Sequence, residues 1–257
     1  MIGMISITLL GPMVIKHEPL ATDPYNQFSK PSIENLMGTD LYGRDVFSRV
    51  IHAGRLDLSM AATIAILALS IGTLLGLIAG VYRGIADNLI MRLTEVLLTF
   101  PTFILALGIT AAIGNTITNV IIAITIAYTP TFIRLVRGEV LRFREATFIE
   151  ASICAGNSRL KIMIIHLLPN CMPVVLVQAS LALGWGILDI AGLSFLGMGI
   201  SPPTPEWGAM TGETARYVVN GIYWPSIFPG LFIVTAVLGF NLLGDGLREI
   251  LDPRLRK

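Results

Sequence analysis

The side chains that most often carry chemistry are scattered along this sequence of 257 residues. The three histidines are His17, His52 and His166, and the two cysteines are Cys154 and Cys171. No two histidines have the i, i+4 spacing of helical metal ligands, and neither a nucleophile elbow nor the glycine-lysine pair of a phosphate-binding loop occurs. We therefore predict no catalytic residue, no metal site and no cofactor bound by this chain.

The composition is that of a membrane protein. Hydrophobic residues make up 54% of the chain, charged residues only 14%, and the mean hydropathy is +0.74. Soluble proteins are typically about 45–50% apolar and about 25% charged. The net charge of +1 gives no basic excess, so we predict no nucleic-acid partner, while membrane lipid is the expected surrounding.

Uncharged runs define the membrane spans, because a helix needs about 20 apolar residues to cross the hydrocarbon core. The longest run contains the turn-prone sequence GNTITN at 114–119, which divides it into two spans. The sequence predicts an all-α membrane protein with a single transmembrane domain over 1–257 and six helices: an incomplete first span at 1–15, then 58–82, 89–113, 117–135, 164–188 and 226–247. The first stretch lacks a positively charged start and a cleavage site, so we do not interpret it as a signal peptide.

Basic residues predict the orientation. With six spans, the segments assigned to the cytoplasmic side carry twelve of the 18 lysines and arginines, and the other segments carry six. Basic residues concentrate in cytoplasmic loops. We therefore predict a multi-pass protein of the bacterial inner membrane with both termini in the cytoplasm.

The segment EASICAGNSRLKIMIIHLLPN, residues 150–170, is unusually polar for this chain. Apolar residues between its charges favour a short amphipathic helix over about 145–156, lying at the membrane surface. Gly156 would end that helix in the left-handed conformation, and Pro169 would kink or restart the next one. Such a helix is either a solvated surface helix or a docking element that transmits a push from a cytoplasmic partner.

The residues of this segment resemble a known motif. Glu150, Ala151 and Ser152, then Gly156 after three residues, then HLLP at 166–169 after nine, are similar to the coupling motif of binding-protein-dependent ABC importer permeases. That motif usually reads E-A-A, three residues, G, nine residues, I-x-L-P. Here a serine takes the place of its third residue and a histidine that of its isoleucine.

The resemblance implies which residues couple this chain to an ATPase. It implies that the helix at 145–156 is a cytoplasmic coupling helix that sits in a cleft of an ATPase subunit. The ATPase-coupling residues it implies are Glu150, Ala151, Ser152, Gly156, Leu168 and Pro169.

Three longer stretches are similar to one subfamily. Residues 36–60, 187–210 and 228–253 resemble the second permease subunit of dipeptide, oligopeptide and nickel importers. This resemblance implies a six-helix fold of the type I ABC importer kind, a homologous second permease subunit, two ATP-binding subunits that hold ATP and Mg, and an extracytoplasmic substrate-binding protein.

The cargo stays open between a short peptide and nickel or a metal chelate. The subfamily favours a peptide, and bare nickel would call for clustered soft or imidazole ligands, which this sequence lacks. Asp189 and Trp207 are the candidate residues of the substrate pathway. The alternative to a pathway role for Trp207 is that it belongs to a belt of aromatic residues at the outer membrane boundary.

Two other classes of protein fit this sequence less well. A gradient-driven carrier would be expected to hold an ionisable residue at mid-membrane, and the predicted spans place Glu95, Asp189 and Asp245 near helix ends. A protein that only anchors others to the membrane would have no use for a docking helix.

The first outer loop carries several charged residues of both signs. Asp40, Arg44 and Arg49 are expected to form an ion network with Asp45 and Arg55, which either fixes this loop or meets the binding protein.

Overall fold

The computed structural model describes residues 3, 6–8, 11, 15 and 17–251. Within these residues the chain is helical and forms no strand, only an isolated β-bridge between Thr39 and Asp45. The prediction of an all-α protein is confirmed. More than half of the first predicted span, 1–15, lies outside the described residues.

Eight α-helices follow one another along the described chain. They are α1 (Val46–Tyr82), α2 (Ile85–Leu98), α3 (Thr102–Ile113), α4 (Ile117–Phe143), α5 (Thr147–Cys154), α6 (Arg159–Phe195), α7 (Trp207–Thr214) and α8 (Trp224–Leu251). Four of them, α1, α4, α6 and α8, are long and apolar enough to cross a membrane, and the bent pair of α2 and α3 is a fifth candidate span.

The contacts of the chain group into two compact units. Unit 1 comprises Met1–Thr63, Leu107–Ile122 and Leu183–Phe240, and unit 2 comprises Ile64–Ala106, Ala123–Ala182 and Asn241–Lys257. Unit 1 contains α7 and the loop before α1, and unit 2 contains α2 and α5. The long helices contribute a segment to each unit, and the prediction of one domain over 1–257 stays a prediction.

The first long helix begins earlier than the span predicted at 58–82. Its N-terminal cap is Asp45, whose carboxylate accepts a hydrogen bond from the backbone N–H of Ser48 at 2.7 Å. Hydropathy missed the first turns of α1 because they carry polar residues such as Arg49 and Asp57. The later long helices likewise extend beyond the predicted spans 117–135, 164–188 and 226–247.

The span predicted at 89–113 is broken into two helices. The axes of α2 and α3 differ by 92° across residues 99–101. Pro101 has no N–H to donate to the preceding turn, and its ring excludes the residue before it from the helical region. The carbonyl of Pro101 instead accepts the first bond of α3, from the N–H of Leu105 at 2.9 Å. The region predicted as a span at 89–113 thus contains two helices with a sharp bend between them, and that the pair crosses the membrane as one span stays a prediction.

Three glycines let α1 and α4 pack closely in unit 2. Gly72, Gly76 and Gly80 recur every four residues on α1, so they lie along one face. A Cβ added at Gly76 would lie 2.8 Å from the carbonyl oxygen of Ile133, and one added at Gly80 would lie 2.5 Å from Val140 Cγ1. Small residues at this spacing allow close packing of membrane helices.

We expect Gly76→Ala to destabilise the protein, because the new methyl group would meet the backbone of α4 and force the two helices apart. Overpacking of this kind costs about 1–3 kcal/mol. Gly138→Ala is the matched control, since a Cβ at that position of α4 meets nothing within 4 Å. Thermal unfolding of the full chain in detergent measures the stability of both variants. Equal midpoints for the two variants would refute close packing at Gly76.

Candidate functional site

The helix α5 is held between the ends of two long helices. Residues 144–146 connect it to α4, and residues 155–158 connect it to α6. Ala146 has the extended conformation of an N-terminal cap, and its carbonyl accepts hydrogen bonds from the N–H groups of Ile149 and Glu150. The rings of Phe143 and Phe148 meet edge to face across the first connection, with centroids 6.4 Å apart. Therefore α5 cannot move far without moving its neighbours.

The two faces of α5 differ in exposure. Ile149 is 2% exposed and Ser152 is 6% exposed, so this face packs against unit 2. Glu150 and Ala151 are exposed. The carboxylate of Glu150 lies in the first turn, where negative charge is favoured by the helix dipole. The helix thus presents an acidic and a small residue away from the buried face.

The exit from α5 depends on Gly156. Its φ angle is +77°, which side chains rarely adopt, and it follows the capping residue Ala155, as the sequence predicts. The hydroxyl of Ser152 accepts a hydrogen bond from Asn157 Nδ2 at 3.0 Å. A serine at this buried position therefore has a polar partner. The Ser158 hydroxyl then accepts from the N–H of Lys161 and caps the start of α6.

The first turns of α6 are widened rather than broken before Pro169. Residues Ile162–Leu167 form a π-helical stretch, and the N–H of Leu168 bonds to the carbonyl of Met163. Wider turns accommodate a proline, which cannot complete the α-helical ladder. Leu168 is half-buried and Pro169 is exposed. The expected kink or restart is thus a local change of helix type within α6.

An ion pair that sequence reasoning missed ties α2 to α4 in unit 2. Arg137 donates from Nε to Asp87 Oδ1 at 2.6 Å and from its terminal nitrogen to Asp87 Oδ2 at 2.8 Å. Two parallel bonds of this kind fix orientation as well as distance. The two residues are fifty positions apart, so no local sequence pattern links them. The pair fixes α4 six residues before its end at Phe143.

The predicted pathway residues lie in unit 1. Asp189 is buried within α6. Trp207 is fully buried; its indole nitrogen donates to the carbonyl of Val50 at 2.8 Å, and its ring lies 5.8 Å from that of Phe232. The ring therefore packs inside unit 1 in this conformation and exposes no surface to a solute or to a headgroup layer. The pathway role of both residues stays a prediction.

An ion cluster forms beside the start of α1, as the sequence predicts. Asp40 pairs with Arg44 at 2.6 Å and with Arg49 at 3.6 Å. Both arginines also approach Glu213 of α7, at 3.3 and 3.9 Å. Asp45 caps α1 instead of joining the cluster. Sequence reasoning missed Glu213, because it lies far along the chain from Arg44 and Arg49.

Two buried carboxylates hold the start of α7. Glu206 caps the helix by accepting from the N–H groups of Gly208 at 2.8 Å and Ala209 at 2.6 Å. Asp57 of α1 accepts from the N–H of Trp207 at 3.1 Å. Burial raises the pKa of Glu206 above its ordinary value, although the hydrogen bonds from Gly208 and Ala209 oppose the shift. Asp57 was missed because the predicted span began one residue later.

The sequence was compared with known proteins. Residues 72–257 match the family model described as "Binding-protein-dependent transport system inner membrane component". The chain is 41% identical to the dipeptide transport system permease protein DppC of Alkalihalophilus pseudofirmus, covering 99% of this chain and 83% of the relative. It is 42% identical to the glutathione transport system permease protein GsiD of Pectobacterium atrosepticum, covering 88% and 75%.

The fold is also that of a solved transporter. A chain of the MetNI methionine ABC transporter in an inward-facing conformation superposes with a TM-score of 0.63 at 18% identity, covering 79% of this chain and 96% of that one. The likeness supports the predicted fold class, the type I ABC importer kind.

We expect the pH dependence of stability to change in Glu206→Gln. Because the folded-state pKa of Glu206 is raised, its contribution to stability is greatest below the ordinary value of 4.5 and falls as the pH rises through the folded-state pKa. The variant cannot ionise, so its thermal midpoint should fall less than that of the wild type as the pH rises above the ordinary value of 4.5.

The control for this experiment is Glu34→Gln, an exposed carboxylate before α1. Its pH profile should parallel that of the wild type. A Glu206→Gln profile that also runs parallel would show that Glu206 is not a buried, titrating group.

Proposed function

Because this chain belongs to the family of binding-protein-dependent transport system inner membrane components, we propose that it forms part of the membrane pathway of an ATP-driven importer of short peptides. The family is one of permease subunits and not of enzymes. A peptide cargo is supported by the names of the relatives, which are permeases for dipeptides and for glutathione.

The observation that carries the proposal is the geometry of α5. The helix is fixed to unit 2 by Ile149 and Ser152 and leaves Glu150 and Ala151 exposed. An exposed acidic residue beside a small one suits docking into a cleft of a partner, because the small side chain permits close approach and the carboxylate can pair with a basic group. In this proposal the partner is an ATP-binding subunit.

The proposed topology places α5 on the cytoplasmic side. The excess of basic residues in the segments that the predicted spans assign to the cytoplasm, twelve against six, supports this orientation. Both termini then lie in the cytoplasm, and the loop before α1 and the segment 201–217 face outward. The complete transporter contains a homologous second permease, two ATP-binding subunits and an extracytoplasmic binding protein that delivers the peptide.

ATP and Mg are bound by the ATP-binding subunits, which supply the energy of transport. When these subunits close on ATP, each moves the coupling helix that it holds. In this chain the displacement of α5 passes to α4 and α6 through residues 144–146 and 155–158. The two permeases then rock against each other, which exposes the pathway to one side of the membrane at a time.

The second candidate cargo is nickel or a metal chelate, which the same subfamily admits. A chelate is held by its own ligands and needs no coordinating side chains, so pathway chemistry does not decide between the two. Uptake measurements decide between the two cargoes. The complete transporter should accumulate a labelled dipeptide in an ATP-dependent manner and should not accumulate nickel chelates. The reverse preference would overturn the peptide assignment.

We expect Glu150→Lys to prevent docking. The change reverses the charge presented by α5 without altering its buried face, so the permease should fold and insert normally. Copurification of the ATP-binding subunits should fall by about tenfold or more, corresponding to the loss of one charge-assisted contact plus a new repulsion.

Glu34→Lys is the matched control, because it makes the same charge reversal on the segment assigned to the other side of the membrane. That variant should retain its ATP-binding subunits and its transport. Normal copurification with Glu150→Lys would count against α5 as the docking element.

A further inference from the structure

A cavity of about 780 Å³ lies in unit 2, where the ends of α4 and α8 meet the middle of α6. Its walls are the C-terminal end of α4, the part of α6 from Pro169 to Leu181, and the C-terminal end of α8. At about 1.5 Å per residue it follows α6 for roughly 18 Å. Cavities of about 300–1,000 Å³ hold small organic ligands. The coupling role of α5 does not account for this space.

One end of the cavity, at Leu181, lies beside a close contact between α6 and α8. Gly244 of α8 lies so near α6 that an added Cβ would be 2.6 Å from Ser180 Oγ and 3.1 Å from Leu181 Cδ2. Leu181 also lines the cavity. Arg248 and Leu251, further along α8, line it as well, so α6 and α8 leave room between them beyond the contact at Gly244.

Two guanidinium groups line the cavity, and they differ in their partners. Arg142 is paired with Glu139 and stacks over the ring of Phe143, with its central carbon 4.5 Å from the ring centroid. Arg248 is exposed and makes no ion pair within the part of the chain that the structure describes. Arg248 can therefore hold an anionic group of a ligand without first losing an ion-pair partner among the described residues.

The wall formed by α6 combines two amides, Asn170 and Gln178, with apolar side chains. Gln178 can both donate to and accept from a peptide bond. Val174 and Val177 line the same stretch and offer an apolar surface. A lipid acyl chain would gain nothing from the amide, whereas a peptide needs partners for its backbone and for its carboxylate. The lining therefore matches a small amphipathic solute better than a lipid.

We propose that this cavity is the exit subsite for the peptide cargo, where Arg248 binds the C-terminal carboxylate and Gln178 the peptide bond. The inference rests on the proposed function, because it names where an imported peptide lies in this chain. It adds a requirement that the function alone does not make: recognition at this subsite depends on a free carboxylate.

The test uses the complete transporter carrying Val177→Cys in a Cys154→Ser background. Cys154 is exposed, and the remaining native cysteine, Cys171, is buried, so the introduced thiol is the accessible one. In nucleotide-free inside-out vesicles, a membrane-impermeant maleimide should label it. The dipeptide Ala-Leu should slow the labelling, and Ala-Leu with an amidated C-terminus should do so at a concentration about tenfold higher, as expected for the loss of one charge-assisted contact.

Variants of Arg248 test whether this residue binds the C-terminal carboxylate of the peptide. Arg248→Gln should remove the difference between Ala-Leu and its amide, and Arg248→Lys should restore most of it because the positive charge returns. Arg92→Gln is the matched control: it removes an exposed arginine of α2 that does not line the cavity, and the difference should persist.

Four results would overturn the proposal. The first is equal protection of the introduced thiol by Ala-Leu and by its amide in the transporter that retains Arg248. The second is a thiol that, without peptide, is not labelled in vesicles containing phosphatidylglycerol but is labelled in vesicles of phosphatidylcholine alone. This result would show that a lipid occupies the cavity. The third is a complete transporter that imports no Ala-Leu with ATP, which defeats the proposed function as well. Normal ATP-dependent import with no protection defeats the exit subsite alone.

Discussion

Short connections to two long helices are the constraint on which the behaviour of α5 depends. Residues 144–146 and 155–158 leave no slack, and the left-handed Gly156 and the Ser152–Asn157 bond fix the path of the second connection. The buried Ile149 anchors the helix to unit 2. A force applied to Glu150 and Ala151 must therefore move the ends of α4 and α6. A flexible linker of the same composition would absorb that force and could not couple a partner to the membrane helices.

Polar contacts between residues far apart in the sequence hold the helices together within each unit. In unit 2 the bidentate pair of Arg137 with Asp87 ties α2 to α4. In unit 1 the ion cluster around Asp40 reaches α7 through Glu213, and Asp57 of α1 accepts a hydrogen bond from the first N–H of α7. The polar contacts thus also fix how the helices connect.

The sequence predicted much of this architecture because composition and local pattern determine it. Apolar runs located the long helices, and the polar segment with Gly156 located α5 and its exit. The break before α3 was missed because hydropathy does not register a change of direction at Pro101. Contacts between distant residues, such as Arg44 with Glu213 or Arg137 with Asp87, leave no local pattern. The early start of α1 was hidden by its own polar residues, which are buried against unit 1.

The most direct test of α5 as the cytoplasmic docking element uses its own thiol. Cys154 is exposed on α5 and Cys171 is buried, so the unmodified chain carries one accessible cysteine within its described part. A membrane-impermeant maleimide should label Cys154 in inside-out vesicles of the permease and leave it unlabelled in right-side-out vesicles, and adding the ATP-binding subunits should protect it. Labelling from the outer side, or labelling from the inner side that those subunits leave unchanged, would contradict the account.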